Sequence, residues 1–200
     1  PTFETTSFVD LGDFTGGFFG TEDPNPAGLW GQTWIAAHPF KTGHVYMLNS
    51  VQHASDSTDV MFARSIDGGQ SWSPPRRVND DPEGNGAWQW FGAMSVAPNG
   101  RIDVTWNDSR TTGQANLSAV FYAYSLDEGQ TWSPNEQISP VFNSHLGWPN
   151  QNKMGDYTHM ISDDGGANLA YTATFNGEQD VYFVRIQQDC NGNGIDDDCD

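Results

Sequence analysis

Two copies of one eight-residue stretch constrain this chain more than any other feature. The first is Ser65-Ile66-Asp67-Gly68-Gly69-Gln70-Ser71-Trp72; the second is Ser125-Leu126-Asp127-Glu128-Gly129-Gln130-Thr131-Trp132. They start at positions 65 and 125, and both run on into Ser-Pro. Each reads as a hairpin turn. The Asp can accept hydrogen bonds from N–H groups of its own turn, and the Gly two residues on supplies a positive φ without steric cost. The Trp then buries a broad face at the start of the next strand. These duties consume the polar atoms, so the stretch speaks to fold and not to catalysis.

Alternating, aromatic-rich runs surround both copies. Before and around the first, strands are predicted at 30–37, 44–51, 58–65 and 76–78, together one four-stranded antiparallel sheet. The pattern repeats at 90–97, 102–107, 117–125 and 136–139, with a turn at Pro98-Asn99-Gly100. A third round at 155–161, 169–174 and 180–186 lacks the octapeptide. Gly, Pro and Asn interrupt every window that could form an amphipathic helix. Residues 1–30 read as irregular, with Phe3, Phe8, Val9, Leu11 and Phe14 as the remnant of a preceding sheet. Self-similar four-stranded sheets arranged radially make an all-β fold, a β-propeller, which closes with about 4–8 blades. About three are counted here, at 31–186, followed by a tail at 187–200. Three blades alone leave long sheet edges open. The expectation is therefore part of a larger propeller, with the missing blades on a preceding segment or another chain.

The octapeptide, Ser-x-Asp-x-Gly-x-Ser/Thr-Trp, resembles the Asp-box, or BNR, repeat of sialidase-like propellers. Val104-Thr105-Trp106-Asn107-Asp108-Ser109-Arg110 is similar to the Val-x-Trp-x-Asp-x-Arg segment of secreted BNR-repeat proteins. Gly155-Asp156-Tyr157 and Asn176-Gly177-Glu178-Gln179-Asp180-Val181-Tyr182-Phe183 are similar to the last blade of that group. The resemblance covers roughly residues 31–186 and implies a six-bladed, sialidase-like propeller; most members have no assigned activity. Sialidase chemistry would need an arginine triad to clamp the substrate carboxylate. It would also need a Tyr nucleophile activated by a Glu, and an Asp acid/base. On the resemblance, Tyr157 matches the nucleophile, Arg110 the clamp and Asp108 an acidic partner. No Arg-Ile-Pro segment is present, and Gln89-Trp90-Phe91, at a comparable inner-strand start, offers no Glu. The leading expectation is thus a non-catalytic extracellular module for glycan or surface binding and assembly. An exo-glycosidase of the sialidase type is one alternative. A structural chain completed by a partner through strand pairing is the other.

Inner-strand ends line the central mouth of a propeller. Here they offer Trp30, Trp34, Trp88, Trp90, Asn107, Asp108, Arg110, Asp156, Tyr157 and His159 as candidate ligand-binding residues. Aromatic faces stack on sugar rings, and Asp, Asn and Arg bond hydroxyls. The competing reading makes the Trp side chains inter-blade core and pairs Asp108 with Arg110. Eight Lys and Arg against 26 Asp and Glu give a net charge of −18. This excludes nucleic acid and anionic membranes as natural partners, and no apolar run is long enough for membrane insertion. The chain opens at Pro1, as a processed or trimmed product would.

The tail Asp189-Cys190-Asn191-Gly192-Asn193-Gly194-Ile195-Asp196-Asp197-Asp198-Cys199-Asp200 carries calcium-loop spacing. Side-chain oxygens come from Asp189, Asn191, Asn193, Asp197 and Asp200, the backbone carbonyl from Ile195, and Gly194 makes the sharp turn. It resembles a thrombospondin type-3 repeat, which implies bound Ca²⁺. Cys190 and Cys199 read as a small disulfide and not as a metal or redox pair, which points to a secreted or cell-surface location. His38, His44, His53, His145 and His159 form no metal-ligand spacing, and two Cys without an adjacent His disfavour zinc. Asn107-Asp108-Ser109 and Asn116-Leu117-Ser118 are formal glycosylation sequons.

Overall fold

A computed structural model describes residues 6–13, 23–53, 56–148, 150–155 and 157–187. Twelve strands form among them: β1 (Trp34–Ala37), β2 (Val45–Gln52), β3 (Thr58–Ser65), β4 (Arg76–Arg77), β5 (Gln89–Val96), β6 (Ile102–Asp108), β7 (Leu117–Ser125), β8 (Glu136–Gln137), β9 (Phe142–Asn143), β10 (His159–Asp163), β11 (Gly166–Ala173) and β12 (Asp180–Gln187). No helix occurs among the described residues. The strands make three antiparallel sheets, ordered β1-β2-β3-β4, β5-β6-β7-β8 and β10-β11-β12, with β9 on β7 beside β8. The first strand of the middle sheet, β5, packs against β1 of the first and β10 of the third. Three sheets meeting through their first strands are consecutive blades of a β-propeller.

Each seam between blades is apolar. Tyr46, Leu48, Val60 and Phe62 of the first sheet meet Met94, Val104, Trp106 and Phe121 of the second. Trp90, Val120 and Tyr122, on the opposite face of the second sheet, meet Met160, Leu169, Tyr171 and Ile186 of the third. The middle sheet is therefore buried on both faces; β5 and β7 are mostly apolar, while β6 alternates and buries Asp103, Thr105 and Asn107 as well. Polar clasps cross the same seams. Arg101 is buried, bonds Asp103 through Nε (2.8 Å) and Nη2 (3.0 Å), and donates to the carbonyls of Asp163 and Gly166 in the third sheet. Glu128, from the second octapeptide, accepts from Lys41 and from His44 (2.7 Å) of the first sheet.

The two octapeptides fold alike. In the first, Asp67 Oδ1 accepts from the Ser71 N–H (2.9 Å) and from the Ser65 hydroxyl (2.7 Å). Bonds from Ser71 hold the Asp67 carboxyl down, at about 2. In the second, Asp127 accepts from the Thr131 N–H (2.8 Å), the Thr131 hydroxyl (2.7 Å) and the Ser125 hydroxyl (2.9 Å). Burial alone would raise Asp127, but the Thr131 bonds outweigh it and hold the carboxyl below its ordinary value. Both Trp side chains are half-buried. Trp132 meets Phe62 of the first sheet edge-on at 5.2 Å. Among the described residues, Trp72 has no preceding sheet to meet. It packs instead with Leu11 and Val9, and its Nε1 donates to Ser7 Oγ (3.1 Å).

Three expectations change. Residues 6–13 contain no strand: Leu11 is buried, Phe8 is 87% exposed, and Phe3 and Phe14 lie outside the described residues. The third sheet has the three strands expected of it, but the first runs His159–Asp163 and not 155–161. Phe142–Asn143 adds a short strand, β9, that is too brief to show periodicity.

Gly69 and Gly129 test this account. Both have positive φ, 85° and 75°. A Cβ on Gly69 would meet Trp72 at an ordinary 3.8 Å, but on Gly129 it would lie 2.1 Å from the Phe62 ring. Gly69→Ala should therefore cost about 1 kcal/mol of backbone strain. Gly129→Ala should cost roughly 3 kcal/mol, because overpacking adds to the same strain. Urea-denaturation midpoints of the two variants would measure the difference.

Candidate functional site

At one end of the blades β1, β5 and β10 begin, and β2, β6 and β11 end. The octapeptide turns lie at the other end. The mouth residues sit where the antiparallel register puts them: Gln89 and Trp90 at the start of β5 pair with Asp108 and Asn107 at the end of β6. A bulge between Trp90 and Ala93 breaks this ladder, and Phe91 adopts φ 53° there. A non-Gly residue in that conformation is strained. It is held by a bond from its N–H to the Trp30 carbonyl (2.5 Å) and by burial of its ring. The kink turns the start of β5 toward β1.

The predicted aromatic residues divide by exposure. Trp34 is half-buried, and its ring lies 6.0 Å from that of exposed His159. Gln32, Trp34, Phe91, Gly92 and Thr158 line a small crevice of about 10 Å³ at the three first strands. Trp88 is half-exposed and meets Trp30 edge-on at 5.5 Å. Trp30 and Trp90 are core: both are buried, and Trp90 Nε1 donates to Ser118 Oγ (3.0 Å). Tyr157 is 84% exposed, and no hydrogen bond forms to its hydroxyl among the described residues. Asp156, Asp189, Cys190, Asn191, Asn193, Ile195, Asp197, Cys199 and Asp200 lie outside the described residues.

Asp108 and Arg110 belong to the seam between the first and second sheets, whereas Asn107, paired with Trp90 and Val120, lies on the face toward the third sheet. Asp108 is fully buried. It accepts from Trp106 Nε1 (2.8 Å), Gln89 Nε2 (3.2 Å), and the N–H and Nε of Arg110 (both 2.8 Å). Burial nevertheless wins and raises its pKa above the ordinary carboxylate value, against the opposing pull of Arg110. Arg110 is saturated. Its Nη1 donates to Asp80 (2.6 Å), its Nη2 to Asn135 (3.0 Å), and its guanidinium sits 4.7 Å over the Phe121 ring. Asn135 immediately precedes the outer strand β8, so the guanidinium points along the seam away from the first strands. The two-residue pairing of Asp108 with Arg110 is therefore present.

Sequence reasoning did not find the network behind this pair. Asp59 and Asp81, both buried, hold Arg77 through Nε (2.5 Å) and Nη2 (3.0 Å). Asn79 donates to both carboxylates (2.6 and 2.7 Å), and Gln89 joins Asp81 to Asp108. Asn79-Asp80-Asp81, a polar run directly after a short outer strand, was the available signal. Beside the network, His53, Asp56, Asp59, Met61, Arg77, Glu83 and Gly84 line a cavity of about 250 Å³. No cluster of three or more His, Cys, Asp or Glu among the described residues could hold a metal ion.

The BNR/Asp-box repeat model matches residues 123–134, the second octapeptide with its flanks. No curated protein matches the chain significantly. Among solved structures, a Hadza microbial sialidase is 17% identical with a TM-score of 0.43, over 78% of this chain and 31% of that one. A Penicillium chrysogenum α-L-arabinanase is 15% identical with a TM-score of 0.46, over 82% of this chain and 47% of its own. A Fusarium graminearum α-L-arabinofuranosidase is 14% identical with a TM-score of 0.45, over 82% and 48% respectively. The chain spans less than half the length of each. It is an all-β, propeller-type protein carrying a BNR/Asp-box repeat.

Two seam carboxylates should respond to substitution in very different degree. Asp108→Ala leaves Arg110 and Trp106 Nε1 without their buried acceptor, and should cost about 3–5 kcal/mol in denaturant unfolding. Asp80 is half-exposed. Burial tends to raise it, but bonds from the Asn135 N–H and Arg110 outweigh this and lower its pKa. Its stabilisation is then present above the unfolded value and lost as pH falls through the folded one. Asp80→Asn should cost about 1 kcal/mol or less at pH 7. The gap between wild-type and variant melting temperatures should close as the pH falls below the ordinary aspartate range.

Proposed function

We propose that this chain is part of a secreted propeller that binds glycans without cleaving them. The observation that carries the reading is the aromatic and polar rim at the start of the first strands. There half-buried Trp34 lies 6.0 Å from exposed His159 and shares a crevice with Thr158, while Trp88 is half-exposed and Tyr157 largely exposed. A partly exposed indole next to hydroxyl and imidazole groups suits a sugar, which needs an apolar face and directed hydrogen-bond partners. A sialidase reading has less support. Tyr157 lacks a hydrogen-bonded base among the described residues, and Arg110 is occupied by aspartates in a seam. The tail at 189–200 is proposed to bind Ca²⁺; the support is its ligand spacing. The extracellular location is proposed from Cys190 and Cys199.

Binding to immobilised glycans, with no release of fluorophore from a fluorogenic sialoside, is the expected result. Turnover of that sialoside, abolished in Tyr157→Phe, would instead establish the glycosidase. Chelation of calcium should lower the native mass by about 40 Da per chain, the mass of one ion. An unchanged mass would leave the tail without its metal.

A second reading concerns completion of the ring. The third sheet presents its far face to solvent: Ile161 is 61%, Val181 77% and Phe183 68% exposed. Register places all three on one face, opposite the buried Leu169 and Tyr171. That face suits further blades, on a preceding segment or a partner chain. Native mass spectrometry of the natural material should find this sequence joined to or associated with additional blades. A free 22.0 kDa monomer would argue against it.

A further inference from the structure

All eight Lys and Arg fall among the described residues, so the cations of this chain can be followed one by one. Four stand at the octapeptide end, away from the mouth. Lys41 and Arg64 face Glu128, Arg101 is buried on Asp103, and Arg185 pairs with Asp163 at the end of β10. Arg76 is exposed on the outer strand β4. Three lie toward the mouth end. Arg77 is held by Asp59 and Asp81, and Arg110 by Asp80, Asp81 and Asp108. Lys153 is engaged as well.

An anionic sugar is recognised by a guanidinium or ammonium free to meet its carboxylate or sulfate, best in bidentate geometry. Each guanidinium here would first have to leave a carboxylate, and Asp59, Asp81 and Asp108 are buried. Removing a partner from a buried charge costs more than one exposed ligand contact returns. Exposed carboxylates at this end, among them Glu83, Glu178 and Asp180, add repulsion. Among the described residues, what lines the crevice is aromatic or uncharged: Gln32, Trp34, Phe91, Gly92 and Thr158.

We infer that the ligand surface contacted by these three blades is uncharged: a neutral glycan that stacks on Trp34 and bonds through its hydroxyls. This rests on the glycan reading above and narrows it to one charge class. Recognition then comes from ring faces and hydroxyl contacts, which salt does not screen.

The test presents the full chain, at pH 8 where an ordinary imidazole is neutral, with a panel of neutral, sialylated, uronic-acid and sulfated oligosaccharides. Dissociation constants are measured in 50 and 500 mM NaCl. Neutral oligosaccharides should bind, with less than about a twofold change between the two salts. A sialylated, uronic or sulfated member binding about tenfold tighter than its neutral counterpart, and weakening with salt, would overturn the inference while leaving the glycan reading intact. Binding to no member of the panel would instead remove the glycan reading itself. Trp34→Ala should weaken neutral binding about tenfold or more, the worth of one stacked ring. Because Trp34 also packs on the first seam, exposed His159→Ala serves beside it, with an expected loss of about threefold for one hydrogen bond. Unchanged binding in both would place the ligand elsewhere and overturn the assignment.

Discussion

A sheet with two apolar faces needs a neighbour on each side, and the rest of this structure depends on that requirement. The middle blade meets it fully: Trp106 and Phe121 go one way, Trp90 and Tyr122 the other. At roughly 25 cal/mol per Å² of apolar surface removed from water, seams lined by several large aromatics dominate the favourable side of folding. Each outer blade has one neighbouring blade among the described residues. On the first, Leu11 and Val9 cover Met61 and Ala63, and Ser7 takes the Trp72 N–H. In the next blade Trp132 meets Phe62 of the preceding sheet. A short irregular segment thus stands where a preceding blade would pack. On the third blade no described residue covers Val181 and Phe183, and they stay exposed.

Polar groups inside the seams are paired almost as thoroughly as the apolar ones. Arg101 with Asp103, and Arg77 and Arg110 with Asp59, Asp80, Asp81 and Asp108, are clasps between neighbouring elements. Buried ion pairs of this kind contribute little net stability, yet they penalise any misaligned seam heavily. Apolar faces slide easily over one another. The clasps give each seam one register, and this fixes where the rim residues stand. The same pairing withdraws the guanidinium groups from ligand chemistry.

Much of the fold was legible because the octapeptide pins one end of a strand. The strands at 58–65 and 117–125 coincide with β3 and β7 for that reason. Strand starts without such an anchor moved: the run from Trp30 begins pairing only at Trp34. The site was less legible. A strand buried on both faces has no polar side to mark its orientation, so Trp30 and Trp90 could not be told from Trp34 and Trp88 by pattern. Arg110 read as a free cation because its other partners, Asp80 and Asn135, lie 30 and 25 residues away in sequence. Asp108, two residues off, was the one visible partner.

The burial of Asn107 has a consequence for handling the protein. Asn107-Asp108-Ser109 is a sequon in sequence, but Asn107 is 7% exposed and Ser109 1% in the fold. Asn116, at the second sequon, is half-buried and bonded to Asn143. Oligosaccharyltransferase acts on chains before they fold, so a eukaryotic secretory host can attach a bulky glycan where β6 must enter the seam. Glycosylation and folding would then compete for the same strand. Bacterial production, or Ser109→Ala in a eukaryotic host, removes that competition.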